Sequence, residues 1–200
     1  ITNVNEKPVI SSTKIDDIEE GKTLVATISA SDPDANTSLT YTLISTKDSG
    51  LFNIGAKTGV ITFKTAPDHE NPRDNGSNNS INFSVQVSDG ALVAVQEYSF
   101  DIININEPPF FDTTTPSIND IGNLEEGNTK IASISASDSD TKGSLIYSLI
   151  NSVGAKDEDL ISVNKTTGIV SFKVSPDYEK PIDVGSDNSI NFSVQVSDGS

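Results

Sequence analysis

Twelve consecutive residues occur twice in this chain. Asn79–Gly90 and Asn188–Gly199 both read NSINFSVQVSDG, 109 residues apart. ISASD at Ile28–Asp32 returns at Ile134–Asp138 with an offset of 106, and NEKP from Asn5 returns as NEPP from Asn106 with an offset of 101. Self-similarity at a nearly fixed period means one structural unit used repeatedly. The drift in offset places small insertions before Glu126 and before Gly168, where loops absorb them. The expected organisation is residues 1–5 as tail and linker of a preceding repeat, 6–106 as a first repeat and 107–200 as a second. Ile1–Val4 aligns with Ile102–Ile105, and the second copy stops at the equivalent of Ala91, so its last strand is expected to be missing and both ends to be cut from something longer.

Each copy reads as β-structure throughout. In INFSVQV, Ile81, Phe83, Val85 and Val87 alternate with Asn82, Ser84 and Gln86, which predicts the first set inward and the second outward. TLVATISAS places Ala26, Ile28 and Ala30 on one side of a strand. The second copy keeps Ala132, Ile134 and Ala136 but has Lys130 where the first has Leu24, so position 24 is expected at the surface. Leu39, Tyr41 and Leu43 alternate in the same way, as do Leu145, Tyr147 and Leu149, and EYSFDIINI supplies a final strand through Phe100 and Ile102. Short segments of period two, broken by Gly, Pro, Asn and Asp, predict an antiparallel sandwich.

Composition narrows the function. The net charge is -16, which argues against nucleic acid, whose phosphates attract Lys and Arg, and against anionic membranes. Apolar residues are 34% of the chain, so each unit has a thin core, and with no cysteine there is no disulfide to reinforce it. A bound metal is the usual substitute clamp in small extracellular domains. No apolar run approaches the ~20 residues of a membrane helix. Catalysis is not expected. The single histidine, His69, has Tyr178 as its counterpart, there is no cysteine nucleophile, and the Asp68/Glu70 pair recurs without a tryptophan platform. The Asn-x-Ser/Thr sequons at Asn36, Asn75, Asn78, Asn82, Asn164 and Asn191 are as many as chance gives in so Asn- and Ser-rich a chain.

The acids are grouped. Glu19 and Glu20 precede the first long strand, Asp32 and Asp34 follow it, Asp68 and Glu70 lie in PDHENP, and Asp89 lies in SDG. The second copy repeats them as Glu125 and Glu126, Asp138 and Asp140, Asp177 and Glu179, and Asp198. All lie at strand ends or in loops. At ~4 Å and an effective dielectric near 20, two carboxylates repel by about 4 kcal/mol, so such groups need a cation. Calcium takes 6–8 hard oxygens, including carboxylates, backbone carbonyls and Asn amides. Asp74, Asn78 and Asn79, with Asp183, Asp187 and Asn188, are better read as turn formers than as further ligands.

The ordered motifs E-x-x-T, A-S-D-x-D, L-x-Y, F-x-I-x-x-x-T-G-x-I, D-x-E, V-x-V-S-D-G and N-E-x-P resemble those of cadherin repeats, in the form found in large bacterial surface adhesins. The resemblance covers nearly the whole chain. It implies all-β, tandem, antiparallel Greek-key β-sandwiches of cadherin-like, immunoglobulin-like topology, arranged end to end. It also implies calcium as cofactor, bound between consecutive repeats. Carried over position by position, one complete site uses Glu20, Asp68 and Glu70, the linker residues Asn106 and Glu107, and Asp138, Asp140 and Asp198. A half-site uses Asn5, Glu6, Asp32, Asp34 and Asp89, and another uses Glu126, Asp177 and Glu179. Three departures leave the ion count open. Asn104 stands where the family's linker has an aspartate, one linker residue is absent, and His69 and Tyr178 replace the Arg of D-R-E; Glu19 also competes with Glu20.

The resulting expectation is an extracellular, cell-surface or secreted repeat, partnered by calcium ions and neighbouring repeats of the same chain. It would serve as a rigid spacer in an adhesin that contacts cell-surface glycans or proteins. A carbohydrate- or self-binding module and a non-catalytic arm of a secreted hydrolase stay open as alternatives. Exchange of a Trp-bearing strand is excluded because the chain has no tryptophan. Phe110 and Phe111, the one adjacent aromatic pair, are expected to be buried.

Overall fold

The computed structural model describes residues 2–112, 124–140, 144–150 and 157–199. The chain divides into two compact units, Ile1–Ile105 and Asn106–Ser200.

The first unit contains strands β1 (Val9–Ile10), β2 (Ile18–Glu19), β3 (Leu24–Thr27), β4 (Ala30–Ser31), β5 (Thr40–Ile44), β6 (Phe52–Ile54), β7 (Val60–Phe63), β8 (Ser80–Ser88) and β9 (Val93–Ile103). One sheet has the order β2-β9-β8-β5 and the other β3-β7-β6, while β1 and β4 form a short ribbon. All pairings are antiparallel except β2 with β9, which is parallel. Residues alternate across a strand, so the two sheets pool their inward side chains: Ile81, Phe83, Val85 and Val87 of β8 with Tyr98, Phe100 and Ile102 of β9, against Phe52, Ile61 and Phe63. The Phe52 ring sits 4.7 Å from that of Phe83 and 4.8 Å from that of Phe63.

The second unit contains β10 (Phe110–Phe111), β11 (Lys130–Ser133), β12 (Ala136–Ser137), β13 (Ile146–Leu149), β14 (Ile161–Val163), β15 (Ile169–Phe172) and β16 (Val194–Ser197). Its sheets are β11-β15-β14 and β13-β16, with a β10-β12 ribbon. Ile131, Ile134, Tyr147, Ile161, Val170, Phe172 and Val194 form its core. Gly59 and Gly168, both in T-G, adopt positive φ of 68° and 65°. A Cβ at either would collide with the carbonyl of Ile28 or Ile134, the residue whose N–H bonds back to that glycine's carbonyl at 2.9 or 3.0 Å.

Four details differ from expectation. TLVATISAS is two short strands, not one. A bulge interrupts β3 between Leu24 and Ala26, and the chain then changes partner from β7 to β1; Ile28, 1% exposed, still faces the core with Ala26 and Ala30 packed beside it. Ser84 alternates to the outer face as expected but is buried there, because β8 is an interior strand and the small side chain lies between Ile44 on β5 and Glu97 on β9. Phe110 is 56% exposed, because successive residues of β10 point to opposite faces and only Phe111 packs on the core. Finally, the identical dodecamers differ. In the first unit Ser80–Ser88 is one nine-residue strand flanked by β5 and β9. In the second only Val194–Ser197 is strand, paired with β13 alone among the described residues, and Ile190 and Phe192 are only partly buried.

Candidate functional site

The acidic loops gather at four places, two in each unit. In the first unit, Asn5, Glu6, Asp32, Asp34 and Asp89 come together at one end. The Asp34 carboxylate accepts the backbone N–H of Glu6 at 2.8 Å and the Asn3 amide. The backbone N–H of Asp34 donates to Asp32 Oδ1 at 2.8 Å, and the Asn5 amide donates to Asp89 Oδ2 at 2.8 Å. Asp89 Oδ1 accepts the N–H groups of Ala91 and Leu92, both at 2.6 Å. These donors favour the charged forms. The Asn3 amide, then the Glu6 N–H, hold Asp34 below the ordinary carboxylate value, and the N–H groups of Ala91 and Leu92, with the Asn5 amide, do so for Asp89. Asp32 Oδ2 is buried and has no hydrogen-bond partner.

The second unit repeats the arrangement with Asn106, Glu107, Asp138, Asp140 and Asp198. Asn106 donates to Asp198 Oδ2 at 2.6 Å, Glu107 N–H to Asp140 Oδ2 at 2.5 Å, and Asp140 N–H to Asp138 Oδ1 at 3.0 Å. Carboxylate oxygens of Glu107 and Asp140 lie within 4.8 Å of each other.

At the other loop group of the first unit, Glu20 leaves β2 with its carboxylate bridging two backbone N–H groups, His69 at 2.8 Å and Ile105 at 2.8 Å. Carboxylate oxygens of Glu20 and Glu70 lie within 4.8 Å. Asp68 accepts the Asn71 N–H at 2.9 Å, and His69 Nδ1 is 3.1 Å from Glu70 Oε1. Glu19 faces Lys22 at 2.5 Å, which separates its role from that of Glu20. The corresponding group in the second unit is Glu126, Asp177 and Glu179, all exposed, with oxygens within 4.8 Å of one another. Glu126 accepts the Tyr178 N–H at 3.0 Å, as Glu20 accepts that of His69.

The neighbouring Asx-rich loops are turns. Asp74 accepts the N–H groups of Asn78 and Asn79 at 3.0 Å each, and Asp183 those of Asp187 and Asn188 at 2.9 and 3.1 Å. Two further acids escape motif reading. Asp48, 2% exposed, accepts the N–H groups of Asn75 and Asn82 at 2.6 and 2.7 Å. Asp157 accepts those of Val184 and Asn191 at 2.8 and 2.9 Å. The signal was present: Lys47-Asp48 and Lys156-Asp157 share the 109-residue offset of the dodecamer.

The two all-β units have the fold of cadherin EC and Ig-like domains. The sequence profile described as Bacterial Ig domain matches residues 5–99. Mouse Protocadherin Fat 4 is 28% identical over 164 residues, covering 78% of this chain and 3% of its own length. The Drosophila melanogaster Fat-like cadherin-related tumor suppressor homolog is 29% identical over 158 residues, again 78% of this chain and 3% of its own. The chain therefore spans only a small part of these relatives. Among solved structures, human CDH23 EC21-23 superposes with a TM-score of 0.55 at 24% identity, covering 98% of this chain and 64% of that one. Human Protocadherin-24 EC1-2 gives 0.53 at 21% identity, covering 97% and 94%. Among the described residues, no helix is long and apolar enough to cross a membrane.

Proposed function

We propose that this chain is a calcium-binding extracellular spacer, one segment of a longer cell-surface adhesin, and that its role is structural and not catalytic. The observation that carries the reading is the repeated oxygen cluster. The same three hydrogen bonds, Asn to Asp, Glu N–H to Asp, and Asp N–H to Asp, recur in both units.

The donor set suits calcium. It consists of hard carboxylate and amide oxygens without nitrogen or sulfur ligands, and the buried Asp32 Oδ2 is an acceptor with no donor, which a cation would satisfy. Asn5, Glu6, Asp32, Asp34 and Asp89 would hold an ion in the first unit, and Asn106, Glu107, Asp138, Asp140 and Asp198 in the second. Glu20, Asp68 and Glu70, and Glu126, Asp177 and Glu179, are the remaining ligand groups. When bound, calcium supplies charge neutralisation and a fixed centre for these loops. The protein's own part is to preset its oxygens through backbone N–H groups, so that little ordering is left at binding. Relatives named as cadherins support the adhesion setting and the extracellular location.

The test is calcium titration calorimetry and thermal melting with and without chelator, together with small-angle scattering. Calcium is expected to bind in the ~10⁻⁴–10⁻³ M range typical of extracellular modules and to raise the melting temperature. Asp138→Ala should reduce both effects. If successive repeats share ions, as the cadherin resemblance implies, chelation also shrinks the scattering envelope. No heat of binding and an unchanged melting curve would defeat the calcium reading; a melting shift with unchanged scattering would defeat only the stiffening.

A further inference from the structure

Asn75-Gly76 is the single Asn-Gly pair in the chain, and it lies at the tip of the exposed turn closed by Asp74. We infer that Asn75 is a self-modification site, at which the chain deamidates with water as the only co-reactant. Three features converge there. Both residues are exposed. Neither the Asn75 carboxamide nor the Gly76 N–H takes part in a hydrogen bond among the described residues, so nucleophile and electrophile are both unengaged. Gly76 has φ of +136° and no Cβ, so no side chain shields its nitrogen from the preceding carboxamide.

The step balances without any oxidant or catalyst group. The Gly76 nitrogen gives its proton to hydroxide and attacks Cγ of Asn75. The bond from Cγ to the carboxamide nitrogen breaks, and that nitrogen leaves as ammonia after taking a proton from water. The resulting five-membered succinimide is opened by water at either carbonyl, giving aspartate or isoaspartate at position 75. One water is consumed and one ammonia released.

The location gives the change a consequence. The Asn75 N–H donates to Asp48 Oδ1 at 2.6 Å, and Asp48 and Asp74 are both buried carboxylates. Deamidation therefore adds a negative charge beside two already present, and the isoaspartate branch adds a methylene to the backbone that Asp48 holds. Asn79, in the same turn, donates its amide to the His69 carbonyl at 2.8 Å, which ties the turn to the loop of Asp68 and Glu70. The second unit is a built-in control. Val184 occupies the equivalent place, with its N–H on Asp157 at 2.8 Å and Gly185 at φ +113°, but it has no carboxamide.

The experiment is timed incubation of the 200-residue chain in mildly alkaline buffer, followed by peptide mapping with mass spectrometry and isoaspartate-specific methyltransferase labelling. Asn75 is expected to convert about ten-fold faster than any other asparagine, since only it precedes an unshielded glycine nitrogen. Both aspartate and isoaspartate should form, with a rate that rises with pH. Asn75→Gln, confirmed as folded by its melting curve, should remove the signal from that peptide. Conversion of Asn75 no faster than of Asn36 or Asn128, or a methyltransferase signal that persists in Asn75→Gln, would overturn the assignment.

Discussion

Asp34 accepts the backbone N–H of Glu6 at 2.8 Å, so the segment ahead of the first sandwich is fastened to the loop that follows β4. The same carboxylate takes the Asn3 amide, and Asp89 takes that of Asn5. The Asn3 amide and the Glu6 N–H depress Asp34, and the N–H groups of Ala91 and Leu92, with the Asn5 amide, depress Asp89, each below the ordinary 3.8. A carboxyl whose value is lower in the folded chain than in the unfolded one contributes stability that is present above the unfolded value and is lost as pH falls through the folded one.

The order of segment 3–6 should therefore be unaffected by pH above about 4 and should decline below the ordinary carboxyl value. Carboxyl-carbon NMR titration is expected to place the midpoints of Asp34 and Asp89 below 3.8. Asp34→Asn should lower the acid sensitivity of the Glu6 amide resonance. A midpoint for Asp34 at or above the ordinary value would contradict the hydrogen-bond geometry.

Asp48 sits almost fully buried and holds two backbone N–H groups from different parts of the chain, Asn75 in the turn and Asn82 in β8. Asp48→Ala leaves both donors without their acceptor. At about 1–3 kcal/mol for each buried unsatisfied group, the expected loss is about 2–6 kcal/mol in the first unit. Asp48→Asn keeps an acceptor oxygen and should cost about half of that. Urea denaturation of each variant checks it, and a loss below about 1 kcal/mol for the alanine variant would mean that water replaces the carboxylate.

Much of this was legible in the chain. Period-two alternation identified Ile81, Phe83, Val85 and Val87 as core, and the repeat identified the acidic loops in pairs. What was not legible depends on neighbours in space. Ser84 is buried by strands on both sides of β8, which no property of serine announces. Phe110 is exposed because β10 is two residues long and its pleat sends only Phe111 inward. Asp48 stands in the loop KDSG, and its burial depends on the turn at Asn75 and the start of β8, whose N–H groups close over it.

Position 24 offers a direct test of reading one copy against the other. Leu24 is 61% exposed, and the second unit carries Lys130 there, also exposed. Leu24→Lys should change stability by no more than about 0.5 kcal/mol, as for most surface substitutions. Ile61→Ala, at a fully buried position of β7, should cost about 2–5 kcal/mol through lost transfer energy and a residual cavity. Thermal melting separates the two, and a Leu24→Lys loss comparable to that of Ile61→Ala would mean that Leu24 is covered in solution.

Hydrogen exchange of the two NSINFSVQVSDG segments isolates tertiary context from sequence, because within the segments the intrinsic exchange chemistry is the same. In Asn79–Gly90, β8 is hydrogen-bonded to β5 along one edge and β9 along the other, and its apolar side chains are buried. In Asn188–Gly199, strand pairing among the described residues is confined to Val194–Ser197 with β13, and residues 189–193 are outside any strand. Local opening breaks fewer contacts in the second copy, so its amides should exchange faster. The contrast should be greatest at Phe192 and Ser193 against Phe83 and Ser84, because the Asn82 and Asn191 N–H groups are both held, by Asp48 and Asp157. Gln86 and Gln195 should differ least, since each lies in a paired strand. Equal protection of Phe83 and Phe192 in the 200-residue chain would show that the second copy acquires a partner in solution along its open edge.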